Sequence, residues 1–174
     1  MRQQLSADAL INMERAWLLL DGISPKKLLT EIYQQRANNK PIMVTFIFKN
    51  FGRTPAWWVE ASLKLTCIVP KPQDFPPIPD YETAFVLQNS ELVPPDHIAT
   101  PRGLELRIIS EEEIQDIKYG KRVLLAYGFF RYRDVFFEQT NTLRETYFYR
   151  RYMFLGPDGE HWMDYGPKGA NRNT

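Results

Sequence analysis

Apolar and polar positions alternate with a period of two along most of this chain. That period marks pleated strands with one buried face. The clearest stretch is 41–68. Residues 43–48 are β-branched and aromatic, a composition suited to a half-buried sheet. Further on, Trp57, Val59, Ala61, Leu63, Leu65 and Cys67 fall on one side, and Trp58, Glu60, Ser62, Lys64 and Thr66 on the other. The first set is apolar and is expected to face a core. Between the two runs, Asn50, Gly52, Thr54 and Pro55 read as a fold-determining turn. Asn50 and Thr54 are expected to bond nearby backbone, Gly52 to take a positive φ, and Pro55 to fix φ where the next strand starts.

The same reading extends to the rest of the chain. Residues 6–14 predict a short helix with Ser6 as N-cap. Residues 16–20 predict a first strand, ended by Asp21 and Gly22. The stretch 24–40 admits two readings. Leu28, Leu29, Ile32 and Tyr33 recur at helical spacing, with Pro25 in a first turn, yet 28–33 also fits a short edge strand, which the β context favours. The proline-dense 70–79 reads as a stiff connector, with a polyproline ligand as the other reading. Strands are predicted at 83–87 and 104–109. Ser110 and Glu113 form a capping box that opens a short helix, with Ile114 and Ile117 inward and Gly120 at its end. The longest strands are predicted at 121–133 and 140–154. The two Gly-Pro pairs after residue 155 predict coil or a frayed extension.

The fold expected from these elements is all-β: an immunoglobulin-like β-sandwich of about seven to nine antiparallel strands. It carries a short N-terminal helix and a short helix near 111–118. Residues 1–14 form a helical lead-in, 15–155 the sandwich domain and 156–174 a C-terminal tail.

Composition alters this picture little. The 174 residues suit one domain, and aromatics at 14% favour sheet cores. A net charge of +1 does not indicate a generally basic nucleic-acid surface. Cys67 is the lone cysteine, so no intrachain disulfide is possible, and its place in the apolar set predicts an inward, inert thiol. The only histidines, His97 and His161, lack metal-ligand spacing. Glu111, Glu112 and Glu113 read as a capped helix start. No nucleophile, phosphate-loop or dinucleotide motif is present, so neither catalysis nor a cofactor is expected. Within 121–153, seven basic residues stand against three acidic ones, interleaved with Tyr and Phe. Arg131, Arg133, Arg150 and Arg151 are the candidate binding surface there. Basic strips with aromatic platforms bind single-stranded nucleic acid, and the other reading is arginines stacked on sheet aromatics.

Three motifs occur in a fixed order. They are Glu14-Arg15-Ala16-Trp17, then Phe48-Lys49-Asn50-Phe51-Gly52-Arg53-Thr54-Pro55-Ala56, then Tyr127 through Phe136. This order resembles an uncharacterised bacterial family, often membrane-anchored, whose members share an ERAW strand, an NxGxTPA turn and a YxDxF strand. The resemblance implies an N-terminal transmembrane segment followed by a β-sandwich outside the cytoplasmic membrane, and no catalytic residues. The chain departs from the family pattern at Phe137, where glycine is frequent, and at Tyr149, where cysteine is common. It also shows no apolar run of membrane-spanning length. Read by itself the chain is expected to be cytoplasmic, whereas the resemblance implies a bacterial membrane or periplasmic setting. The expected function is a non-catalytic interaction module with a protein partner, associated with the cell envelope. The alternative is a β-barrel that binds single-stranded nucleic acid through 121–153.

Overall fold

A computed structural model describes residues 15–37, 42–70, 85–106, 109–136, 142–156, 159–166 and 171–173. The elements are β1 (Leu18–Ser24), α1 (Leu28–Ala37), β2 (Ile42–Asn50), β3 (Ala56–Ile68), β4 (Phe85–Val93), β5 (Arg102–Leu106), α2 (Glu111–Lys118), β6 (Val123–Arg133), β7 (Arg144–Phe154), β8 (Glu160–Asp164) and β9 (Arg172–Asn173). All strand pairs are antiparallel. The smaller sheet has the order β1-β2-β5, and the larger β4-β3-β6-β7-β8, with β9 also pairing β7. The protein is therefore all-β, with two sheets and two short helices among the described residues. The helix expected at 6–14 and most of the proline-dense connector lie outside those residues.

The two sheets meet through aromatic side chains. Phe48 of β2 lies 4.5 Å from Phe130 of β6 and 5.6 Å, edge-on, from Trp58 of β3. Phe46 lies 5.6 Å from Phe148 of β7. All five rings are essentially buried. Removing such a side chain from water stabilises the fold by roughly 1.5–3 kcal/mol. Two side-chain hydrogen bonds tie the sheets together as well. Thr146 Oγ1 donates to the Leu18 carbonyl at 2.8 Å, and Tyr132 OH donates to the Ala16 carbonyl at 3.3 Å.

β6 is the central strand of the larger sheet, and residues 123–130 are buried on both faces, as its two-sided apolar pattern predicts. Even-numbered residues face the main core. Val123, Leu125 and Tyr127 form a second apolar cluster with Tyr149 on the outer face. β3 and β6 approach closely at Gly128, where a Cβ would collide with the Ser62 carbonyl.

Four expectations from the pattern need correction. In β3, the register slips between Trp58 and Glu60, so Val59 is an extra residue in a bulge. Before the bulge Ala56 and Trp58 face inward; after it Ala61 and Leu63 do. Trp57 is thus 44% exposed and Trp58 1%, the reverse of strict alternation. In the 24–40 stretch the helix wins over the strand: Leu28, Leu29 and Ile32 of α1 are buried along one helical face. β1 does not end at Asp21 and Gly22, but continues through an irregularity there to Ser24. The tail is not all coil. β8 pairs with 150–154 of β7, β9 with Thr146 and Tyr147, and Asn171 Oδ1 accepts from Tyr149 N between them. The pairing gives the edge of β7 hydrogen-bond partners along its length.

α2 starts as expected. Ser110 Oγ accepts from Glu113 N, Glu113 reaches back to Ser110 N, and Ile114 and Ile117 are buried. Gly120, at φ +72°, follows its last turn.

Candidate functional site

Asn50 ends β2 at a buried corner where several segments converge. Its Oδ1 accepts from Trp17 N at 3.1 Å and from Gly52 N at 2.9 Å. Its Nδ2 donates to the Thr54 carbonyl at 2.8 Å and the Val93 carbonyl at 3.0 Å. Its own N–H donates to the His97 carbonyl, and its carbonyl accepts from Asp96 N. A fully buried amide with this many partners is a strut. Gly52 is not at positive φ. It is required for a different reason: a Cβ would sit 2.5 Å from Trp17 N and 2.6 Å from Ala16 Cα, against the backbone entering β1. Thr54 contributes its carbonyl, while its hydroxyl is buried with no hydrogen-bond partner among the described residues. Pro55 directly precedes β3. Asn50, Gly52 and Thr54 come together around backbone.

Arg131, Arg133, Arg150 and Arg151 do not share a face. Arg131, Arg133 and Arg151 take outward positions, whereas Arg150 pairs opposite Ala126 on the core-facing side. Arg131 Nε donates to Glu145 at 2.6 Å, its Nη1 donates to Glu60 at 3.3 Å, and its guanidinium covers the Phe129 ring. The bond to Glu145 holds Arg131 above its ordinary pKa. Burial pushes Glu145 up, but hydrogen bonds from Tyr147 and Arg131 outweigh it and leave the carboxyl below its usual range. Arg150 pairs with Asp164, and Arg151 stacks over Tyr165. Glu60 and Asp164 come from β3 and β8, outside the counted stretch 121–153. These two acids offset part of the positive charge, while Lys64 of β3 over Tyr127 and Arg172 of β9 over Tyr147 add to it.

The remaining candidates are dispersed. His97 Nδ1 lies 2.8 Å from the Pro95 carbonyl, and His161 Nδ1 lies 3.1 Å from that of Gly159. Cys67 is half-buried, not fully inward, and packs against the main core. Glu113 joins Arg122, and Glu111 meets Gln115 and Tyr33, so the acids at 111–113 tie α2 to its surroundings. Among the described residues no group of three or more His, Cys, Asp and Glu is placed to hold a metal ion. Among them also, no helix is long and apolar enough to cross a membrane.

Two buried carboxylates escaped the sequence reading. Glu160 of β8 accepts from Leu29 N at 3.0 Å, from Thr30 N and Oγ1, and from Tyr152 OH at 2.5 Å. It supplies the negative charge that the first turn of α1 favours. Burial, and then the bond to Glu160, push the Tyr152 hydroxyl far above its ordinary pKa. Asp134, 4% exposed, lies 3.7 Å from Arg15 and 3.6 Å from Arg144, and its other oxygen accepts from Phe136 N. Both carboxylates are occupied by structural partners. A strand pattern after Gly159, with Glu160 at an inward position, was the one available signal for the first.

No family model, no curated protein and no solved structure matches the chain.

Proposed function

We propose that this chain is a non-catalytic, immunoglobulin-like β-sandwich acting as a protein-interaction module of the bacterial cell envelope. Two antiparallel sheets around one aromatic core support the sandwich reading. The motif order around residues 14–17, 50–56 and 128–136 supports the envelope setting.

One observation carries the interaction reading. Tyr119, Leu155 and Val69 are 68%, 66% and 61% exposed, the highest values among the large hydrophobics of the described residues. All three lie at the α2 end of the sheets, just beyond β3, α2 and β7. Lys118 Nζ lies over both the Tyr119 and Phe154 rings, which brings the α2 and β7 contributions together. Apolar side chains gathered on a rigid end mark a contact surface.

The test is a photo-crosslinking amino acid at position 119 in native envelope fractions. The expected result is a discrete protein adduct that disappears with Leu155→Ser. Absence of any adduct, or one indifferent to Leu155→Ser, removes the reading.

A further inference from the structure

The opposite end of the sheets, where Arg15 leads into β1, has a different chemistry. Phe51, Trp57, Leu92, Ile98 and Val135 are exposed there, each by 44–54%. Register shows that they share this end. Trp57 pairs with Leu92 on one side and Arg133 on the other. Phe51 N donates to the Trp17 carbonyl, and Ile98 bridges to Lys49. The five side chains rim this end: Trp57 and Leu92 stand on the outer face of the larger sheet, and Ile98, opposite Lys49, on that of the smaller.

Basic side chains are interspersed with them. Arg53 and Arg133 are exposed, and Lys49 Nζ lies 5.1 Å from the Phe51 ring centre. Asp96 is an exposed carboxylate at the same end, 3.5 Å from Lys49. Asp134 is buried between Arg15 and Arg144 and presents no charge outward. The α2 end carries Glu111, Glu112, Glu113 and Asp116, with Arg122 and Lys121 paired to the last two of them.

We infer that the Arg15 end is a docking surface for an anionic lipid bilayer. Indole and phenyl rings settle at the boundary between headgroups and acyl chains, where one side is apolar and the other wet. Guanidinium and ammonium groups beside them gain from the negative potential of anionic headgroups. The surface carries both components, on loops and strand ends held by the buried Asn50 corner. The inference goes beyond the protein partner proposed for the α2 end, and the two stand or fall separately.

The experiment is co-sedimentation of the full chain with vesicles of equimolar phosphatidylcholine and phosphatidylglycerol, compared with phosphatidylcholine alone. The expected result is binding to the anionic vesicles at low salt, weakened by high salt and absent with phosphatidylcholine. Phe51→Ser with Trp57→Ser is expected to abolish sedimentation. Arg53→Glu with Arg133→Glu is expected to weaken it roughly tenfold or more. All four positions are exposed, and melting curves are the check that the variants fold. Tyr119→Ala, at the other end, leaves vesicle binding intact. No binding to anionic vesicles at low salt overturns the inference, as does equal binding by the Phe51/Trp57 variant. A protein adduct from a crosslinker at Trp57, without vesicle binding, assigns the surface to a protein and also overturns it. Loss of vesicle binding with a retained adduct at position 119 sinks the lipid surface alone.

Discussion

Asn50 Nδ2 donates to the Val93 carbonyl across 3.0 Å, and the two residues belong to different sheets. The same side chain holds Trp17 N, at the start of β1, and Gly52 N, in the turn. One amide thus fixes three approaches to a single corner. Its value lies less in each bond, worth about 1 kcal/mol net, than in what its removal leaves unpaired in a dry place.

Asn50→Ala is expected to be among the most damaging single changes. It strands two N–H donors and two carbonyls, each orphaned group costing about 1–3 kcal/mol if water cannot reach it. A urea melt should show the midpoint falling steeply or no folded baseline at all. A shift of under about 1 kcal/mol would mean that the corner is wet and the strut unimportant.

Gly52→Ala is expected to destabilise by at least about 1–3 kcal/mol, the range for forcing atoms into a filled space. At this chain length each 1 kcal/mol lowers the melting temperature by roughly 2–4 °C. The obstacle is backbone at Arg15, Ala16 and Trp17, which no rotamer change relieves. Thermal denaturation followed by circular dichroism decides it, and an unchanged midpoint counts against the close approach.

Glu160→Ala is expected to loosen α1 selectively. The variant deprives Thr30 N and the Tyr152 hydroxyl of their acceptor and leaves Leu29 N only the Tyr152 oxygen, at a cost of about 1–3 kcal/mol. Native-state hydrogen exchange should accelerate at the Leu29 and Thr30 amides more than at β6 amides. Tyr152→Phe, which keeps the carboxylate on the helix, should do less. Uniform acceleration across both sheets would place the role of Glu160 elsewhere.

Burial pushes the Tyr132 hydroxyl up to about 12 from its ordinary 10. Below pH 10 the group is neutral in folded and unfolded chains alike. Above it, the unfolded chain loses this proton first, so stability falls through pH 10–12 by about 1.4 kcal/mol per pH unit from this group. Tyr132→Phe should flatten that part of the stability–pH curve. An equal slope in the variant means that other groups carry the alkaline loss.

Much of the framework was legible because the period-two pattern is local. β2, β6, β7 and the α2 capping box follow from neighbouring residues alone. The bulge at Val59 was not legible, because its effect is a phase shift that nothing in Trp57-Trp58-Val59 announces. α1 was misread because its decisive acceptor, Glu160, lies 131 residues from Leu29. Pleat geometry divides the four arginines: Arg150 and Arg151 are consecutive and face opposite ways, while Arg131, Arg133 and Arg151 share the outer face. Their acidic partners Glu60 and Asp164 became visible only once strand order brought β3 and β8 alongside. The two exposed ends were equally hidden, since loops distant in sequence assemble each of them.

The contact between Glu160 and α1 also bears on the order of events during folding. A helix of ten residues is too short to persist by itself in water, and its first-turn partner is supplied by a hairpin near the other end of the sequence. Closing so long a loop is slow, and chains dominated by such distant pairings fold over roughly milliseconds to seconds. α1 should therefore gain protection only after β8 has joined β7. In pulsed exchange during refolding, the Leu29 amide should be among the last to become shielded, and early shielding there would argue for an order in which the helix does not wait for the hairpin.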